Sequence, residues 1–298
     1  MIDNKLETLI AVSELGSFTK AAQSLSLTQP AVSQHIKALE EELGIKIFNK
    51  TESGLKPTPE GVIAIRYAKR VKSLYQTEEQ RIADSKKNMF SLVVGITHTA
   101  ESSTVGEALA NYAYNTKGLR ITILSDSITN LYEKLEDYDV DLIVVEGRNI
   151  DKRYSSLLLD TDSLVLAVGT GNPLSKKSMV TIKELEEEKM IIRGANSGTR
   201  QLFEASLHSQ GLSLDDLNVI LEADNIATIK ELVVKNIGVS VLAKSACLDE
   251  EKDHKLVLLP IEGLAMIREV NLVYPKDFGH LETLDGIVGA YKAVTGRH

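Results

Sequence analysis

The chain has 298 residues, 43% of them hydrophobic, and a net charge of −8, so it is long enough for two or three domains with substantial cores. No apolar run approaches the ~20 residues needed to span a bilayer, and no basic segment precedes an apolar signal core, so we expect a cytoplasmic protein without a membrane partner. The single cysteine, Cys247, excludes an internal disulfide framework and a multi-cysteine metal site, and its apolar neighbours favour a buried thiol over a redox role.

The first predicted element is an amphipathic helix that ends at Gly16. Its apolar face is formed by Leu6, Leu9, Ile10 and Ser13. Residues 17–44 then predict two short helices joined by a tight turn, the pattern of a helix-turn-helix. Ser17 and Thr28 can cap these helices, and Pro30 suits the first turn of the second one. The inward face of the second helix is predicted from residues spaced four, three and four apart: Val32, Ile36, Leu39 and Leu43.

The other face of the second helix carries amide, hydroxyl and lysine side chains, which are suited to contact base edges and phosphates in a major groove. Residues 45–58 predict a two-stranded wing with a turn at Ser53 and Gly54, whose lysines could contact phosphates or could simply be solvated. The candidate DNA contacts are Ser17, Thr19, Lys20, Thr28, Gln29, Pro30, Ala31, Ser33, Gln34, Lys37, Lys50 and Lys56. Spacing alone leaves open an ordinary amphipathic helix pair in a globular core.

Residues 1–66 resemble the winged helix-turn-helix of the LysR-type transcriptional regulators. The strings that carry the resemblance are SFTKAAQSL, LTQPAVSQHIKALEEELG, IF at residues 47–48 and TPEG at residues 58–61, in the order and spacing of the family. Three positions depart from the family pattern: Ser53 and Lys50 stand where arginines are usual, and Pro57 where leucine is usual. Because lysine lacks the forked donors of arginine, we expect weaker or less base-selective wing contacts.

From Pro59 to about Lys87 the sequence predicts one long helix. A coiled-coil seam is predicted along it from Ala64, Ala68, Val71, Tyr75 and Ile82, although a lone solvated linker helix would also fit. The family resemblance implies that this helix pairs two subunits antiparallel. Residues 1–90 hold 13 Lys and Arg against 11 Asp and Glu, and the remainder holds 21 against 31. One copy is therefore expected to bind DNA weakly, and pairing to supply the affinity.

Beyond Asn88, apolar runs alternate with helical stretches, which predicts an α/β fold with largely parallel sheets. The predicted strands are residues 92–96, 119–124, 140–145, 164–168, 190–192, 219–221, 239–242, 256–259 and 270–274. Most of residues 91–298 resembles the LysR-type effector domain, which implies the two-lobed architecture of periplasmic binding proteins. The resemblance places lobe one at residues 91–162 and 268–298 and lobe two at 163–267, with a ligand in the cleft between them.

Ligands in such folds lie beyond the carboxyl ends of strands and beside helix N-termini, and residues 97–102, 125–127 and 193–200 meet that description. Arg193 could supply positive charge, so the sequence favours a small anionic effector. The candidate effector-binding residues are Thr97, His98, Thr99, Glu101, Ser102, Ser125, Asp126, Arg193, Asn196, Ser197, Thr199, Asn225 and Ile226. The hydroxyls could instead be plain helix caps, and Arg193 or Arg200 could pair with acidic neighbours such as Glu204.

The sequence lacks the strings of common enzyme sites: a Gly-x-Ser-x-Gly elbow, a phosphate loop, a Gly-x-Gly-x-x-Gly after a strand, and His-Glu-x-x-His. His98 and Glu101 alone are too few ligands for a metal. We therefore expect no enzymatic activity, no cofactor and no metal.

The sequence thus predicts an α+β multidomain protein. Residues 1–58 would form a winged helix-turn-helix DNA-binding domain, residues 59–88 a linker and dimerisation helix, and residues 89–298 a two-lobed α/β effector-binding domain like a periplasmic binding protein. The expected function is sequence-specific DNA binding and transcription regulation, modulated by the effector. The expected partners are promoter DNA, the effector, and further copies of the chain in a dimer or a tetramer of two dimers, with RNA polymerase as another candidate. The runner-up is a small-molecule-binding or transferase-like protein with a helical N-terminal dimerisation module.

Overall fold

The computed structural model describes residues 3–51, 54–85 and 89–296, and within these it leaves out the side chains of residues 80, 81 and 83–85. The expected turn at Ser53 and the expected end of the linker helix at Lys87 lie outside the described residues. The chain forms two compact units, residues 1–90 with 136–139, and residues 91–135 with 140–298. In the part that the structure describes, every helix is too short or too polar to span a bilayer.

Within its described residues, the first unit has three short helices, a hairpin and a long helix. These elements are α1 (Asn4–Leu15), α2 (Phe18–Ser24), α3 (Gln29–Leu43), β1 (Phe48–Thr51), β2 (Gly54–Pro57) and α4 (Pro59–Ser85). The predicted caps are confirmed, because Ser17 and Thr28 each accept a hydrogen bond from the N–H three residues later. Gly16 and Gly44 end α1 and α3 in the left-handed conformation, where glycine is favoured.

The core of the first unit lies among α1, α2, α3 and the first turns of α4. Its buried side chains are Leu9, Ile10, Val12, Ala21, Ala22, Val32, Ile36, Leu39, Ile47, Phe48 and Ala68. Leu43 was expected on the same inward face, but it is 51% exposed, so this expectation is wrong. Leu43 occupies the last position of α3, and burial along that face ends one turn earlier, at Leu39.

The long helix α4 carries apolar side chains on two adjacent faces. Ala64 and Ala68 pack into the core of the unit, and Ala68 is only 2% exposed. A separate row is exposed to solvent along one side of the helix: Ile63, Tyr67, Val71, Leu74 and Ile82. The predicted seam is therefore wrong at Ala68, because its own unit already covers it, whereas Ala64 is half-buried against the same core. We call the exposed set the apolar row of α4.

The second unit is built on a seven-stranded sheet and a two-stranded sheet with helices packed around them. Its elements are β3 (Phe90–Thr97), α5 (His98–Glu101), α6 (Val105–Asn115), β4 (Leu119–Asp126), α7 (Ile128–Glu136), β5 (Leu142–Glu146), β6 (Tyr154–Gly169), α8 (Ile182–Glu187), β7 (Met190–Ile192), α9 (Gly198–Ser209), β8 (Val219–Glu222), α10 (Ile226–Val234), β9 (Ser240–Ala243), α11 (Leu248–Lys252), β10 (Leu256–Leu259), β11 (Ile267–Pro275) and α12 (Leu281–Thr295). Every predicted strand corresponds to an observed one, with shifts at the ends.

The large sheet has the order β10-β6-β11-β5-β3-β4, with β9 also paired to β6. Strands β3 and β5 are parallel, as are β7 and β8 of the small sheet. However, β11 runs antiparallel to β5 and β6, and β6 runs antiparallel to β9 and β10. The expectation of largely parallel sheets is therefore wrong. A buried strand gives an apolar run in either direction, so the sequence pattern does not record how strands are oriented.

Strand β6 is the longest strand in the described chain and links the two halves of this unit. Its first half, which the sequence did not predict, pairs with β11 from Tyr154 to Ser163. Its second half, from Leu164, pairs with β9 and β10. At the change of partner, the Leu164 N–H donates to the carbonyl oxygen of Met266 at 2.8 Å. Each half of β6 therefore pairs with a different group of strands. The segment that leads into β11 passes from the second group back to the first beside this point, at Met266.

Candidate functional sites

The first candidate site is the outer face of α3. Gln29, Pro30, Gln34 and Lys37 are exposed, and Ala31 and Ser33 are half-buried. The Gln29 side chain donates to the Ser33 hydroxyl at 2.9 Å, which holds these two groups in one row along the helix. Lys37 Nζ lies 3.6 Å from a carboxylate oxygen of Glu41, but both side chains are exposed and such a pair is weak. The face therefore offers amide and hydroxyl groups, and one loosely paired lysine, to an approaching duplex.

The start of α2 extends this face. Thr19 and Lys20 are exposed in its first turn. Ser17 and Thr28 use their hydroxyls to accept from backbone N–H groups at the starts of α2 and α3. These two residues therefore fix the helix starts, and the structure gives them a capping role independent of DNA.

The acidic run at residues 40–42 follows the candidate face. Glu40 is structural, because its carboxylate accepts from the N–H of Ile47 at 2.8 Å and so holds the segment that leads into the hairpin. Glu42 pairs with Lys5 of α1 at 3.0 Å. Both carboxylates therefore have partners within their own unit, which reduces the repulsion that a bare acidic run would exert on DNA.

The two wing lysines lie on opposite faces of the hairpin. Lys50 is paired with Leu55 across the ladder, and Lys56 with Asn49. Successive residues of a strand point to opposite faces, so Asn49 and Lys50 diverge, as do Leu55 and Lys56. Both lysines are exposed. One face of the wing can therefore present only one of these two lysines to a given groove.

The second candidate site is a cavity of about 390 Å³ in the second unit. The carboxyl ends of five strands meet there, namely β3, β4, β5, β7 and β8. Its walls are formed by Thr97, His98, Thr99, Asp126, Ser127, Ile128, Thr129, Asn130, Glu146, Arg193, Asn196, Ser197, Gly198 and Asp224. The volume lies near the lower end of the ~300–1,000 Å³ range of small-molecule sites.

Seven of the residues proposed from sequence line this cavity: Thr97, His98, Thr99, Asp126, Arg193, Asn196 and Ser197. The other six lie outside its wall: Glu101, Ser102, Ser125, Thr199, Asn225 and Ile226. Asn225 caps α10 by accepting from the N–H of Thr228, and Ile226 is part of the apolar core. Thr199 is buried, and its hydroxyl oxygen lies 3.4 Å from a guanidinium nitrogen of Arg268.

Arg193 is the buried cation of the cavity. The residue is 4% exposed, and among the described residues its Nε and Nη1 atoms have no hydrogen-bond partner. Burial lowers the pKa of the guanidinium, while the carboxylates of Asp224 and Glu146 act in the opposite direction. A buried arginine with unpaired N–H groups is well suited to bind an anionic group of a ligand.

Arg200 holds the loop that presents Arg193. Its Nη1 donates to the carbonyl oxygen of Arg193 at 3.2 Å, and its other bonds go to Glu204 at 2.8 Å and Glu222 at 2.7 Å. The alternative considered from sequence, that an arginine here pairs with Glu204, is therefore confirmed for Arg200. This side chain positions the backbone of the loop and does not line the cavity.

Helix α9 begins at the cavity wall. Its N-cap, Ser197, makes no side-chain capping bond, and its N–H donates to the carbonyl oxygen of Gly194 at 2.9 Å. The first N–H groups of a helix have no acceptor within that helix, and they carry a partial positive charge. Together with Arg193, they offer N–H donors on this side of the cavity.

Three carboxylates also line the cavity: Asp126, Glu146 and Asp224. Sequence reasoning included Asp126 and missed Glu146 and Asp224. Glu146 ends β5, and Asp224 follows β8 by two residues. The same rule that pointed to the ends of β3, β4 and β7 would have found both residues if it had been applied to these two strands.

Glu146 is tied to neighbouring groups. Its carboxylate accepts from the Thr97 hydroxyl at 2.8 Å, and Thr97 in turn caps α5. The Arg268 Nη2 atom lies 4.0 Å from Glu146 and 3.8 Å from Asp162, and both side chains of each pair are nearly inaccessible. This group of charges lies behind the cavity wall and fixes the Glu146 carboxylate.

Cys247 is fully buried among apolar neighbours of the second unit. Burial raises the pKa of its thiol to about 12, although the charge of Lys230 acts in the opposite direction. Because the thiolate is the reactive form, this thiol is inert at neutral pH. The structure therefore favours the packing role that the sequence indicated.

Two family models match the chain. Residues 90–291 match the LysR substrate binding domain, and residues 4–62 match the bacterial regulatory helix-turn-helix protein, lysR family. The first match alone covers more than half of the chain.

Similar proteins span almost the whole chain. An uncharacterised HTH-type transcriptional regulator of Methanocaldococcus jannaschii is 29% identical over 272 residues, which are 90% of each chain. The HTH-type transcriptional regulator CysL of Bacillus subtilis is 27% identical over 274 residues, 90% of this chain and 89% of CysL. The solved structure of CbnR in complex with its target DNA aligns with a TM-score of 0.71 at 15% identity, over 98% of this chain and 99% of CbnR. Full-length OxyR from Pseudomonas aeruginosa aligns with a TM-score of 0.65 at 19% identity, over 97% and 93%. At these identities the two structures show a shared fold.

Proposed function

Because the chain belongs to the LysR family of transcriptional regulators, we propose that it binds promoter DNA through the outer face of α3 and that a small effector held at Arg193 controls this activity. The observation that carries the effector half is the guanidinium of Arg193, buried in a cavity wall with two nitrogens unpaired among the described residues. The alternative of a transferase-like protein is set aside, because the family is one of DNA-binding regulators.

In this proposal the DNA contacts divide into two kinds. Gln29, Ser33 and Gln34 of α3 contact base edges, because their amide and hydroxyl groups match the donors and acceptors of the major groove. The other proposed positions lie along the phosphate backbone, where lysine charges and a close approach of the helix starts fix the register but read no sequence. These positions are Ser17, Thr19, Lys20, Thr28, Pro30, Ala31, Lys37, Lys50 and Lys56.

Self-association through α4 is the second part of the proposal. The apolar row of α4 exposes five large side chains along one side of a 27-residue helix, and a second copy of the same helix would cover them. Two copies also bring two α3 helices, which we call the reading helices, to one duplex. The second contact compensates for the low positive charge of residues 1–90. We extend the proposal to a tetramer of two dimers that acts on promoter DNA in the cytoplasm, with RNA polymerase as a further partner.

The effector binds between two lobes in this proposal, residues 91–162 with 268–298 and residues 163–267. The change of pairing partners along β6 at Ser163 and Leu164 supports that division. An anionic group of the effector would lie at Arg193 and the N-terminus of α9, where the N–H groups favour negative charge. Ligand contacts to both lobes would shift the population of their arrangements, and this shift would change how the DNA-binding units are spaced.

A selection experiment tests the DNA half. The full chain is used to select duplexes from a random library, and binding to the winning sequence is measured by gel shift at several salt concentrations. We expect a site with two related half-sites and affinity that falls steeply with salt. Gln34→Ala should change the selected sequence, whereas Lys37→Gln should weaken all sequences alike and reduce the salt slope by about 1.

Gln76→Ala is the matched control, because Gln76 is an exposed glutamine on α4, outside the helix-turn-helix. It should leave the selected sequence unchanged. Failure of the library to converge, or a sequence preference that is the same for Gln34→Ala and the parent chain, would contradict the assignment of α3 as the reading helix.

Arg193→Gln tests the effector half. This variant keeps hydrogen-bond donors and removes the charge, so it should still bind the selected DNA and lose the response to any effector that changes the footprint of the parent chain. Arg153→Gln is the control, because Arg153 is an exposed arginine paired with its neighbour Asp151. A full effector response in Arg193→Gln would show that the ligand is held elsewhere.

A further inference from the structure

The cavity wall carries more negative than positive side chains. Asp126, Glu146 and Asp224 face one buried arginine, Arg193, with His98 as the other titratable group of the wall. At short range, and away from bulk water, like charges in one cavity repel a ligand of the same sign strongly. A ligand that carried only negative charge would meet the attraction of Arg193 together with the repulsion of any of these carboxylates whose charge is not offset by a cation of the protein. The arrangement therefore calls for a ligand with charges of both signs.

Two of the three carboxylates already have partners. Asp126 accepts from the N–H of Ser127 at 2.8 Å and from the side chain of Asn130 at 2.7 Å, and Lys134 Nζ lies 3.7 Å away. Partial burial acts to raise the pKa of Asp126, but these hydrogen bonds and the charge of Lys134 lower it, so the group is ionised at neutral pH. Glu146 accepts from Thr97, as described above. Both carboxylates are thus held by the protein itself.

Asp224 differs from them. Within the described chain, no hydrogen bond or ion pair at 4 Å or less reaches its carboxylate, although its charge acts on Arg193. Its position is possible because residue 194 is glycine, since a Cβ there would lie 2.1 Å from Asp224 Oδ1. The carboxylate therefore lies directly against the loop that carries Arg193. Asp224 and Arg193 both line the cavity, and among the described residues neither the Asp224 carboxylate nor the Nε and Nη1 atoms of Arg193 have a hydrogen-bond partner.

We propose, building on the effector role assigned to this cavity above, that the effector is a zwitterion of the α-amino-acid class, whose carboxylate binds Arg193 and whose ammonium group donates to Asp224. In an α-amino acid the two charged groups are attached to one carbon atom. A ligand of this kind needs its two protein partners close together, and Asp224 lies against Gly194, the residue after Arg193. The carboxylate would also accept from the N–H groups at the start of α9. Both charges of the ligand are then paired, and both unpaired groups of the wall gain a partner.

The remaining wall defines the side chain of the ligand. Opposite the Arg193 loop lie the ends of β3 and β4 and the start of α7, with hydroxyl or amide groups from Thr99, Ser127, Thr129 and Asn130. The cavity of about 390 Å³ is small for a ligand site. We therefore expect a small amino acid whose side chain is polar.

The test uses the full chain and the twenty common α-amino acids as probes. Thermal unfolding is measured with each amino acid at about 10 mM, because a ligand that binds only the folded state raises the unfolding temperature. For each amino acid that stabilises the protein, calorimetric titration then compares it with the α-hydroxy acid of the same skeleton, in which a hydroxyl replaces the amine. We expect at least one amino acid to bind, and its hydroxy acid to bind about tenfold more weakly or less.

Asp224→Asn separates the role of the carboxylate from that of cavity shape. It should weaken binding of the amino acid about tenfold, since the ammonium group loses its partner, and leave binding of the anionic hydroxy acid unchanged or tighter, since a repelling charge is removed. Asp215→Asn is the matched control, because Asp215 is an exposed aspartate of the same unit outside the cavity. It should change neither affinity. The unfolding temperature without ligand shows that each variant is folded.

Three results would overturn the zwitterion assignment: no amino acid of the panel stabilises the chain, the hydroxy acid binds as tightly as the amino acid, or Asp224→Asn leaves amino-acid binding unchanged. Each of these leaves DNA selection and the role of Arg193 intact, so the proposed function would stand with a different ligand. Failure of the full chain to select DNA would instead remove the proposed function, whatever the amino-acid titrations give.

Discussion

The carbonyl oxygen of Ile47 lies against Gly61, only 2.1 Å from the position that a Cβ on residue 61 would occupy. The neighbouring atom belongs to the backbone, so it cannot rotate aside as a flexible side chain could. The Thr58 hydroxyl supports the same junction, because it accepts from the Gly61 N–H at 2.9 Å and donates to the carbonyl oxygen of Lys46 at 2.5 Å. The first turn of α4 is thereby fixed against the segment that leads into the hairpin.

Gly61→Ala should therefore destabilise the first unit. Overpacking of this kind typically costs roughly 1–3 kcal/mol, and here it also displaces the start of α4 from the hairpin. We expect a lower free energy of unfolding in denaturant titration, and weaker DNA binding in gel shifts. Gly289→Ala is the control, because Gly289 lies within α12 and a Cβ there would meet no heavy atom within 4 Å. It should stabilise the chain by about 0.5–1 kcal/mol, and equal effects of the two changes would contradict the steric argument.

Leu74→Asp should disrupt self-association. Leu74 is exposed in the apolar row of α4, so the substitution places a charge in the surface that a second copy is proposed to cover, without removing a core residue. Sedimentation velocity should show a shift from dimer or larger species to monomer, with DNA affinity reduced on every sequence. Gln76→Asp adds the same charge two residues away, outside that row, and should leave the assembly unchanged. An unchanged sedimentation profile for Leu74→Asp would contradict the proposed contact surface.

The error in the predicted seam shows a limit of periodicity. On α4, the Ala64–Ala68 stripe and the Ile63–Tyr67 stripe are both apolar and lie side by side, with Val71 next to either. A helical period identifies such stripes but does not say which of them packs against its own unit. The helix caps were predictable because they depend on local residues, such as Ser17 and Thr28.

The pairing of strands that are distant in the chain was harder to predict from the sequence, for a related reason. The first half of β6, from Tyr154 to Ser163, has a run of three leucines between polar residues and no polar–apolar alternation, and its partner β11 lies more than a hundred positions away along the chain. Nothing local identifies that partner or its direction. In the cavity, the rule of strand ends placed Thr97, Asp126 and Arg193 correctly on the wall. It could not show that Ile226 turns into the core, because the orientation of α10 is set by packing.

The stability of the second unit should fall at alkaline pH through Cys247. Its thiol has a pKa of about 12 in the folded chain, against an ordinary value of 9.0, because burial disfavours the thiolate. The folded state therefore holds this proton more tightly than the unfolded state. The resulting stabilisation is fully present below pH 9.0 and is lost as pH rises from 9.0 towards 12, by up to about 1.4 kcal/mol per pH unit.

Cys247→Ala provides the comparison for that loss. Urea titrations at pH 7, 9 and about 10 should show a stability difference between the parent chain and the variant that shrinks above pH 9, because other titrating groups contribute equally to both. A thiol reagent should modify the parent chain only as fast as it unfolds. A difference in stability that is constant across this range, or rapid modification of the folded chain at neutral pH, would contradict the buried, protonated thiol.

Gly194→Ala should weaken the effector site without unfolding the chain. The atom that a new Cβ would meet is Oδ1 of Asp224, the end of an exposed side chain that can rotate away, so the cost to stability should be small. Rotation of Asp224 would move its carboxylate away from the Arg193 loop and leave the guanidinium in place. We therefore expect weaker binding of the amino acids that stabilise the parent chain, unchanged or tighter binding of the matching hydroxy acids, and an unfolding temperature within about 2 °C of the parent. Calorimetric titration and thermal unfolding measure these effects, and Gly289→Ala serves again as a glycine substitution distant from Asp224 in sequence. If Gly194→Ala bound both ligand types as the parent chain does, the close approach of Asp224 to this loop would have no role in recognition.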